Sequence, residues 1–452
     1  MKFALCNDKM LVRSGTMKRR LTADLLKWKQ ESARKPLMVI GARQVGKTYS
    51  INEFCTEQYQ EYIYLNLDKD KDIVQIFEES IDPDEIIRNL GLYRGKAIDA
   101  SNTIIFIDEV QVSERAITSL KYFAEHKLDY KIIVAGSLLG VALNRFKSSY
   151  PVGKVERLYM YPMDFEEFLW AIDEKMLSDE IKKHFTLDQK IFNVIHEKLL
   201  KLYKDFLYVG GMPESVLSYK EAKGDLNHYN SKIKKTIIED YIADMSKYTT
   251  NAESIKVNQV YQSIPIQLGS DNHRFNYKLV SDKGKKAYFG TAIEWLIQSK
   301  LVHKVTLIET PKIPLKAYHK ENMFKVYMND VGLLMELADM TPLDINASGS
   351  KLYSGMITEN YVAQMLAKNF SLYYWRSGNT AEIDFLINVG GHIIPVEVKA
   401  STNTKSKALK VYIEKYNPNY AIKISAKNFG FSNGIKSVPL YAVHLLGHLK
   451  KH

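Results

Sequence analysis

The chain has only two cysteines in 452 residues, Cys6 and Cys55, and neither stands in a CxxC pair or beside a histidine cluster. That excludes a disulfide framework and a cysteine-type zinc site, and it points to a reducing cytoplasm. Long apolar runs are missing too. The longest uncharged apolar stretch, Ile132 to Leu143, falls well short of the roughly 20 residues a membrane-spanning helix needs, so no membrane partner is expected. The opening MKFALCNDKM meets Asp8 and Lys9 before an apolar region of signal-peptide length develops, which argues against secretion; Met1 and Met17 both remain open as the working start. There is no internal repeat and no low-complexity linker, so the borders between domains are soft.

What is present is an ordinary globular composition, with 46% hydrophobic and 25% charged residues, which excludes disordered and collagen-like chains. At roughly 100 to 200 residues per domain, the length predicts two to four domains, each with a core of its own. Lys plus Arg number 63 against 52 Asp plus Glu, a net charge of +11. The excess lies in short runs, Lys232 to Lys235, Lys283 to Lys286 and Lys405 to Lys415. Such runs are mostly solvated faces, and nucleic acid is permitted by them rather than demonstrated. The 29 tyrosines and 18 phenylalanines are scattered among apolar positions and read as core.

From Lys35 to Pro162, short apolar runs alternate with helical stretches, the pattern of a parallel sheet with crossover helices. The strands predicted are Pro36 to Ile40, Tyr62 to Leu67, Thr103 to Ile107, Lys131 to Ala135 and Glu156 to Tyr161, all with both faces buried. Residues 164 to 250 are long, Lys- and Glu-rich and helical in period, broken by the turn Gly210-Gly211-Met212-Pro213. Residues 251 to 345 read as a helix, Ala287 to Leu301, followed by strands at Val302 to Leu307 and Phe324 to Met328, a small winged-helix-like module. From 346 to 452 a helix at Thr358 to Ala367 precedes three strands, Leu372 to Arg376, Glu382 to Asn388 and Ile393 to Lys399. Residues 1 to 34 form an N-terminal extension.

Gly41-Ala42-Arg43-Gln44-Val45-Gly46-Lys47-Thr48 matches G-x-x-x-x-G-K-[ST] between an apolar strand and a helix. The loop turns its backbone N–H groups and the helix N-terminus toward a β-phosphate. Lys47 reaches the β- and γ-phosphates, and the Thr48 hydroxyl ligates Mg²⁺. ATP and Mg²⁺ are therefore the expected ligands. A second strand, Thr103 to Ile107, ends in Asp108-Glu109. Asp108 would hold the Mg²⁺ through water, and Glu109 would orient and deprotonate the attacking water. The next strand ends Ala135-Gly136-Ser137, where the hydroxyl could sense the γ-phosphate or simply cap a helix. All three groups belong at one edge of the sheet, the carboxyl ends of its strands.

With these motifs the chain resembles the prokaryotic AAA-type ATPases that carry a C-terminal domain of unknown function with a restriction-endonuclease-like signature. The resemblance runs through GARQVGKT, IIFIDEVQ, IIVAGS, YPMDFEEFL, YVGGMPESV, FKVYMNDVGLL, IDFLI and VEVKA, nearly the whole chain. It implies an α/β architecture: a P-loop parallel-sheet ATPase core (35 to 163), a helical lid (164 to 250), a winged-helix-like middle segment and a C-terminal α/β restriction-endonuclease-like domain. One departure concerns arginines. Where relatives often have Gly-Arg, this chain has Gly153-Lys154, so Arg145, Arg157 or neither could act as an arginine finger, and no second-sensor arginine stands out in the helical segment.

Near the C-terminus, Gly390-Gly391 signals a two-residue hairpin loop. Such a loop sets Asp384 opposite Glu397 and Glu382 opposite Lys399. Two facing carboxylates repel and ask for a cation between them, Mg²⁺ being the natural choice. Lys399 could then position a water, and Glu359 on the preceding helix could complete the ligands. This resembles the Glu…Asp…Glu-x-Lys arrangement of restriction-endonuclease-like phosphodiesterases, at Glu359, Asp384, Glu397 and Lys399, and implies metal-assisted phosphodiester hydrolysis. A plain salt bridge between Glu382 and Lys399 is the simpler reading. His444, His448 and His452 recur at helical spacing but read as a frayed tail. The function expected is an ATP-hydrolysing protein coupled to a nuclease-like module acting on DNA, with a homo-oligomer among its partners. The alternatives are an ATP-driven switch whose C-terminal module only binds DNA or protein, and a slow nucleotide sensor.

Overall fold

The computed structural model describes residues 17–31, 34–137, 151–247, 249–270, 273–346, 351–378, 381–402 and 406–451. Five parallel strands, β1 (Leu37–Ile40), β2 (Glu61–Asn66), β3 (Thr103–Asp108), β4 (Lys131–Gly136) and β5 (Glu156–Tyr159), lie in the order β2-β3-β4-β1-β5. β1, β3 and β4 are buried at every residue because helices cover both of their faces. Alternate residues serve opposite cores. Ile104, Phe106, Ile133 and Ala135 join one cluster, while Ile105, Ile107, Ile132 and Val134 join the other. The expectation of two buried faces fails at β2 and β5. These are the sheet's edges, and their residues alternate toward solvent.

The segment from 164 to 250 is helical as expected, with helices Phe165–Ala171, Lys175–Leu187, Asn193–Val209, Pro213–Glu221 and Lys232–Lys247. Asp164 and Glu167 close a capping box at its start. Pro213 opens the fourth helix at a position where a missing N–H costs nothing. The turn before it is locked: a Cβ on Gly211 would lie 2.1 Å from the Met163 carbonyl oxygen, and the Gly211 N–H is donated to Asp330 Oδ2 at 2.6 Å.

The second sheet corrects the domain picture. β6 (Val302–Ile308) and β7 (His319–Met328) form the expected hairpin, but β6 also pairs in parallel with β8 (Tyr373–Ser377), Thr306 aligned with Tyr373. The hairpin therefore continues into β9 (Ala381–Val389), β10 (His392–Val398), β11 (Ala421–Ser425), β12 (Gly430–Ser432) and β13 (Ile435–Pro439). Together they form one eight-stranded sheet, ordered β12-β13-β11-β10-β9-β8-β6-β7. The hairpin expected in residues 251 to 345 thus shares one sheet with the strands expected in residues 346 to 452. The helix Lys351–Ala367 ties the parts together: Asn360 Oδ1 accepts from Met328 N (2.7 Å) and Gln364 Oε1 from Val331 N (3.0 Å). Just past its end, the Lys368 ammonium donates to the Pro162 carbonyl at the border of the first sheet (3.0 Å). The last turns, Leu440–Lys451, are 3-10 in form, and residues 440–446 are buried rather than frayed, with His444 only 4% exposed and His448 exposed; His452 lies outside the described residues.

The β9–β10 hairpin has the register its Gly-Gly loop demands, with Asn388 facing Ile393 and Phe385 facing Val396. The regular ladder stops there. The Val398 N–H is donated to the Asp384 carboxylate at 2.7 Å, so this side chain does the work of a backbone acceptor.

Candidate functional site

The phosphate-binding loop leaves β1 at Ile40 and enters the helix Lys47–Gln58 through Gly46, whose φ of 95° is left-handed and suits glycine. Lys47 is buried. Its ammonium donates to the carbonyls of Gly41 (3.0 Å) and Ala42 (2.7 Å). Burial pushes its pKa down to about 8, although Glu109 and Asp108 nearby pull the other way. The Thr48 hydroxyl donates to Asp108 Oδ2 at 2.8 Å, and the Tyr64 hydroxyl reaches the same oxygen at 3.1 Å. Burial raises the pKa of Asp108 while these bonds oppose it. Hydroxyl and carboxylate side by side at the end of β3 are hard oxygen donors, a set that fits Mg²⁺.

Glu109 follows in a left-handed backbone conformation, φ 51°, which side chains other than glycine adopt at a cost. Its N–H is donated to Asp108 Oδ1 (3.0 Å). Its Oε2 accepts from Gln111 Nε2 (2.5 Å) and from the Ser137 hydroxyl (3.1 Å). Ser137 thus touches Glu109. Gln111 and Tyr64 were not foreseen, although both lie on or next to strands that carry the motif.

Two surroundings of the loop were unforeseen as well. Arg19, 5% exposed and in the segment read as an extension, donates to the Val45 carbonyl (2.6 Å), to Glu167 (2.9 Å) and to the Tyr161 carbonyl (2.8 Å). The helix Lys232–Lys247 lies over the loop from the other side. Asp244 pairs with Arg43, Gln44 donates to Asp240 (2.5 Å), and the Tyr241 hydroxyl donates to the Arg43 carbonyl (3.0 Å). Toward the loop this helix presents acids, Asp240 and Asp244. Arg157 is exposed on the edge strand β5, and Arg145 lies outside the described residues.

At the C-terminal carboxylates the structure brings the four expected residues near one another but pairs them differently. Glu382 bridges to Lys325 (2.7 Å), not to Lys399. Lys325, 1% exposed on β7, also lies 3.8 Å from Glu359, whose Oε2 accepts from Tyr327 (3.0 Å) and meets His273 Nδ1 (3.0 Å). Burial would raise the Glu359 pKa, yet Lys325 and His273 outweigh it and hold the carboxyl down at about 2. Glu359 is therefore committed to these partners rather than turned to a shared cation. Asp384 goes the other way: burial, then the charges of Glu397 and Glu359, push it well above the carboxylate range. Glu397, 3% exposed, accepts on Oε1 from Lys399 (2.7 Å) and Ser406 (2.8 Å), while its buried Oε2 has no partner among the described residues. Among the described residues no three His, Cys, Asp or Glu side chains form a group able to hold a metal ion, and His444 and His448 are in none. No helix of the described residues is long and apolar enough to cross a membrane.

Comparison with known proteins matches the first sheet to a family model. Residues 33–169 match the family model described as an AAA domain. Residues 200–344 and 354–443 match two domains of unknown function, DUF8612 and DUF4143. The uncharacterized protein MJ1544 of Methanocaldococcus jannaschii is 24% identical over 402 residues, 83% of this chain and 77% of that protein. Among solved structures, the Aeropyrum pernix ORC1 protein in complex with DNA is 12% identical with a TM-score of 0.32, over 73% of this chain and 93% of that one. The Thermotoga maritima RuvB Holliday junction branch migration motor is 13% identical with a TM-score of 0.27, over 67% and 94%. The residues that match the AAA domain model, 33–169, include the P-loop and the strand that ends in Asp108.

Proposed function

We propose that this chain binds and hydrolyses ATP at the first sheet and couples that cycle to a C-terminal nuclease-like module that acts on DNA, with further copies of the chain as partners in a homo-oligomer. The observation that supports hydrolysis most strongly is Glu109, fixed by Ser137 and Gln111 beside the Thr48–Asp108 pair. ATP has to draw Lys47 from the Gly41 and Ala42 carbonyls onto its β- and γ-phosphates. Mg²⁺ held at Thr48 and Asp108 supplies charge neutralisation on the phosphate oxygens. Glu109 takes a proton from water as the water oxygen bonds to the γ-phosphorus. The bond to the β–γ bridging oxygen breaks, and ADP leaves with that electron pair. Glu109→Gln is expected to keep ATP binding while turnover falls about 10²- to 10⁴-fold; unchanged turnover in a phosphate-release assay would move the base elsewhere.

For the C-terminal module, the lone Oε2 of Glu397 beside Asp384 supports a divalent-cation site of two carboxylates, with Lys399 on the same edge. Glu359 would have to leave Lys325, His273 and Tyr327 to join it. That last fact favours a second reading, an ATP-driven switch whose carboxylates are neutralised from within and cut nothing. Cleavage of linear and branched DNA with Mg²⁺ or Mn²⁺, with and without ATP and beside Asp384→Ala, separates the two. Loss of cleavage in the variant supports the nuclease, and no cleavage under any condition supports the switch.

A further inference from the structure

At the opposite edge of the parallel sheet, where β2, β3 and β4 begin, a cavity of about 290 Å³ is lined by Lys29, Arg34, Gln58, Tyr59, Gln60, Ser101, Asn102 and Lys131. Three of these are cations and none is a carboxylate. Every lining side chain can donate a hydrogen bond. Cations at this edge have an ordinary use, because the C-terminal carbonyls of helices gather here. Lys29 does cap the helix Lys47–Gln58 in this way, donating to the Gln58 carbonyl at 2.8 Å, and Lys131 donates to the carbonyls of Ser101 (2.9 Å) and Ala100.

That use does not exhaust the donors. Arg34 donates through Nη1 to the Lys29 carbonyl (2.6 Å), yet its Nε is buried with no partner among the described residues. The Tyr59 hydroxyl is buried and likewise lacks a partner there. A buried donor without an acceptor costs about 1–3 kcal/mol, and three converging cations add mutual repulsion. Burial and the charge of Arg34 both push the Lys131 pKa down, with Asp99 and Asp129 opposing. Those two acids lie outside the cavity's lining, and Asp99 is engaged by Ser101 and Asn102.

We propose that this cavity is a second phosphate site, distinct from the P-loop, which takes a small phosphate dianion, free or as the terminal group of a monoester. Three cations match a dianion better than a carboxylate, and the unpartnered Arg34 Nε and Tyr59 hydroxyl, both shielded from solvent, are the donors that a bound phosphate draws out by a small turn of each side chain. The cavity is a recess near the small end of ligand pockets, about 300 Å³, which suits a compact group rather than the backbone of a duplex. By strand length it lies roughly 15–20 Å from the P-loop, so a ligand here would reach nucleotide chemistry only through the sheet.

The test uses the full chain carrying Lys47→Ala, which disables the P-loop, titrated with inorganic phosphate and separately with glucose 6-phosphate at constant ionic strength by calorimetry. Saturable one-to-one binding is expected. Arg34→Gln should weaken it about tenfold or more, and Tyr59→Phe about three- to tenfold. Tyr59→Phe removes only an oxygen without a partner, so it keeps the fold and isolates the ligand contact. Equal binding of the two probes identifies phosphate itself as the ligand, and tighter glucose 6-phosphate identifies a monoester. No saturable binding, or binding of equal strength in all variants, overturns the site. So does a single-stranded oligonucleotide whose binding responds to Arg34→Gln while phosphate does not bind.

Discussion

Lys47 and Lys325 are two of the buried lysines of this molecule, and they behave in opposite ways. Lys47, in the phosphate-binding loop, is satisfied by neutral carbonyls alone and its pKa falls to about 8. Lys325, in the C-terminal cluster, is buried just as deeply. Although burial alone would lower its pKa, Tyr327 with Glu359, Glu382 and Asp384 raises it well above the ordinary value. The first is an unbalanced cation kept for an incoming anion. The second is half of a completed internal balance, which its own chain supplies. The nucleotide site is thus built to receive charge, and the carboxylate cluster has largely neutralised its own.

The sharpest way to break this contrast is to remove each lysine. Lys47→Ala should abolish ATP binding, a loss of at least about 10³-fold, with little harm to folding because its ammonium is hydrogen-bonded to carbonyls and to no carboxylate. Affinity within a few-fold of the parent in a fluorescent-nucleotide titration would show that the loop does not hold phosphate. Lys325→Met should do the reverse. It strands Glu359 and Glu382, and a broken buried pair costs about 3–5 kcal/mol, to be read as a lower urea midpoint with ATP binding by the folded fraction unchanged. An undiminished midpoint would mean that the carboxylates take up protons or a metal ion in its place.

The same contrast explains what could be read in advance. The residues proposed for nucleotide chemistry, Lys47, Thr48, Asp108, Glu109 and Ser137, lie in a contiguous motif or at the ends of apolar strands, so spacing alone was enough to nominate them. The β9–β10 register was equally legible because two glycines fix it locally. Lys325 and His273 were not, since they meet Glu359 only where the helix Lys351–Ala367 packs against β7, a contact between segments far apart in the chain. The single signal was a lone charge inside the apolar run Phe324-Lys325-Val326-Tyr327-Met328, which only a buried counter-charge justifies. Arg19 and the Asp240–Asp244 face carry no motif, and their approach to the loop depends on how helices pack.

A finer test of the Lys47 half of the contrast is pH. Because burial holds the folded-state pKa near 8, below the ordinary lysine value, the charged form is a cost to folding at lower pH. That cost disappears as pH rises through 8, so stability of the nucleotide-free protein should rise from pH 8 toward 10 relative to Lys47→Ala. ATP needs the charged form, and therefore its affinity should move the other way, falling by up to about tenfold per pH unit above 8 as binding comes to require uptake of a proton. Calorimetry at pH 9 in two buffers of different ionisation enthalpy reads that proton directly. Lys325 predicts the opposite: its carboxylate partners already hold its proton, so no DNA or metal titration at the C-terminal cluster should take one up on its account in this range. Proton-free ATP binding at pH 9 would mean that Lys47 is as well compensated as Lys325, and the distinction between a site that waits and a site already balanced would fall.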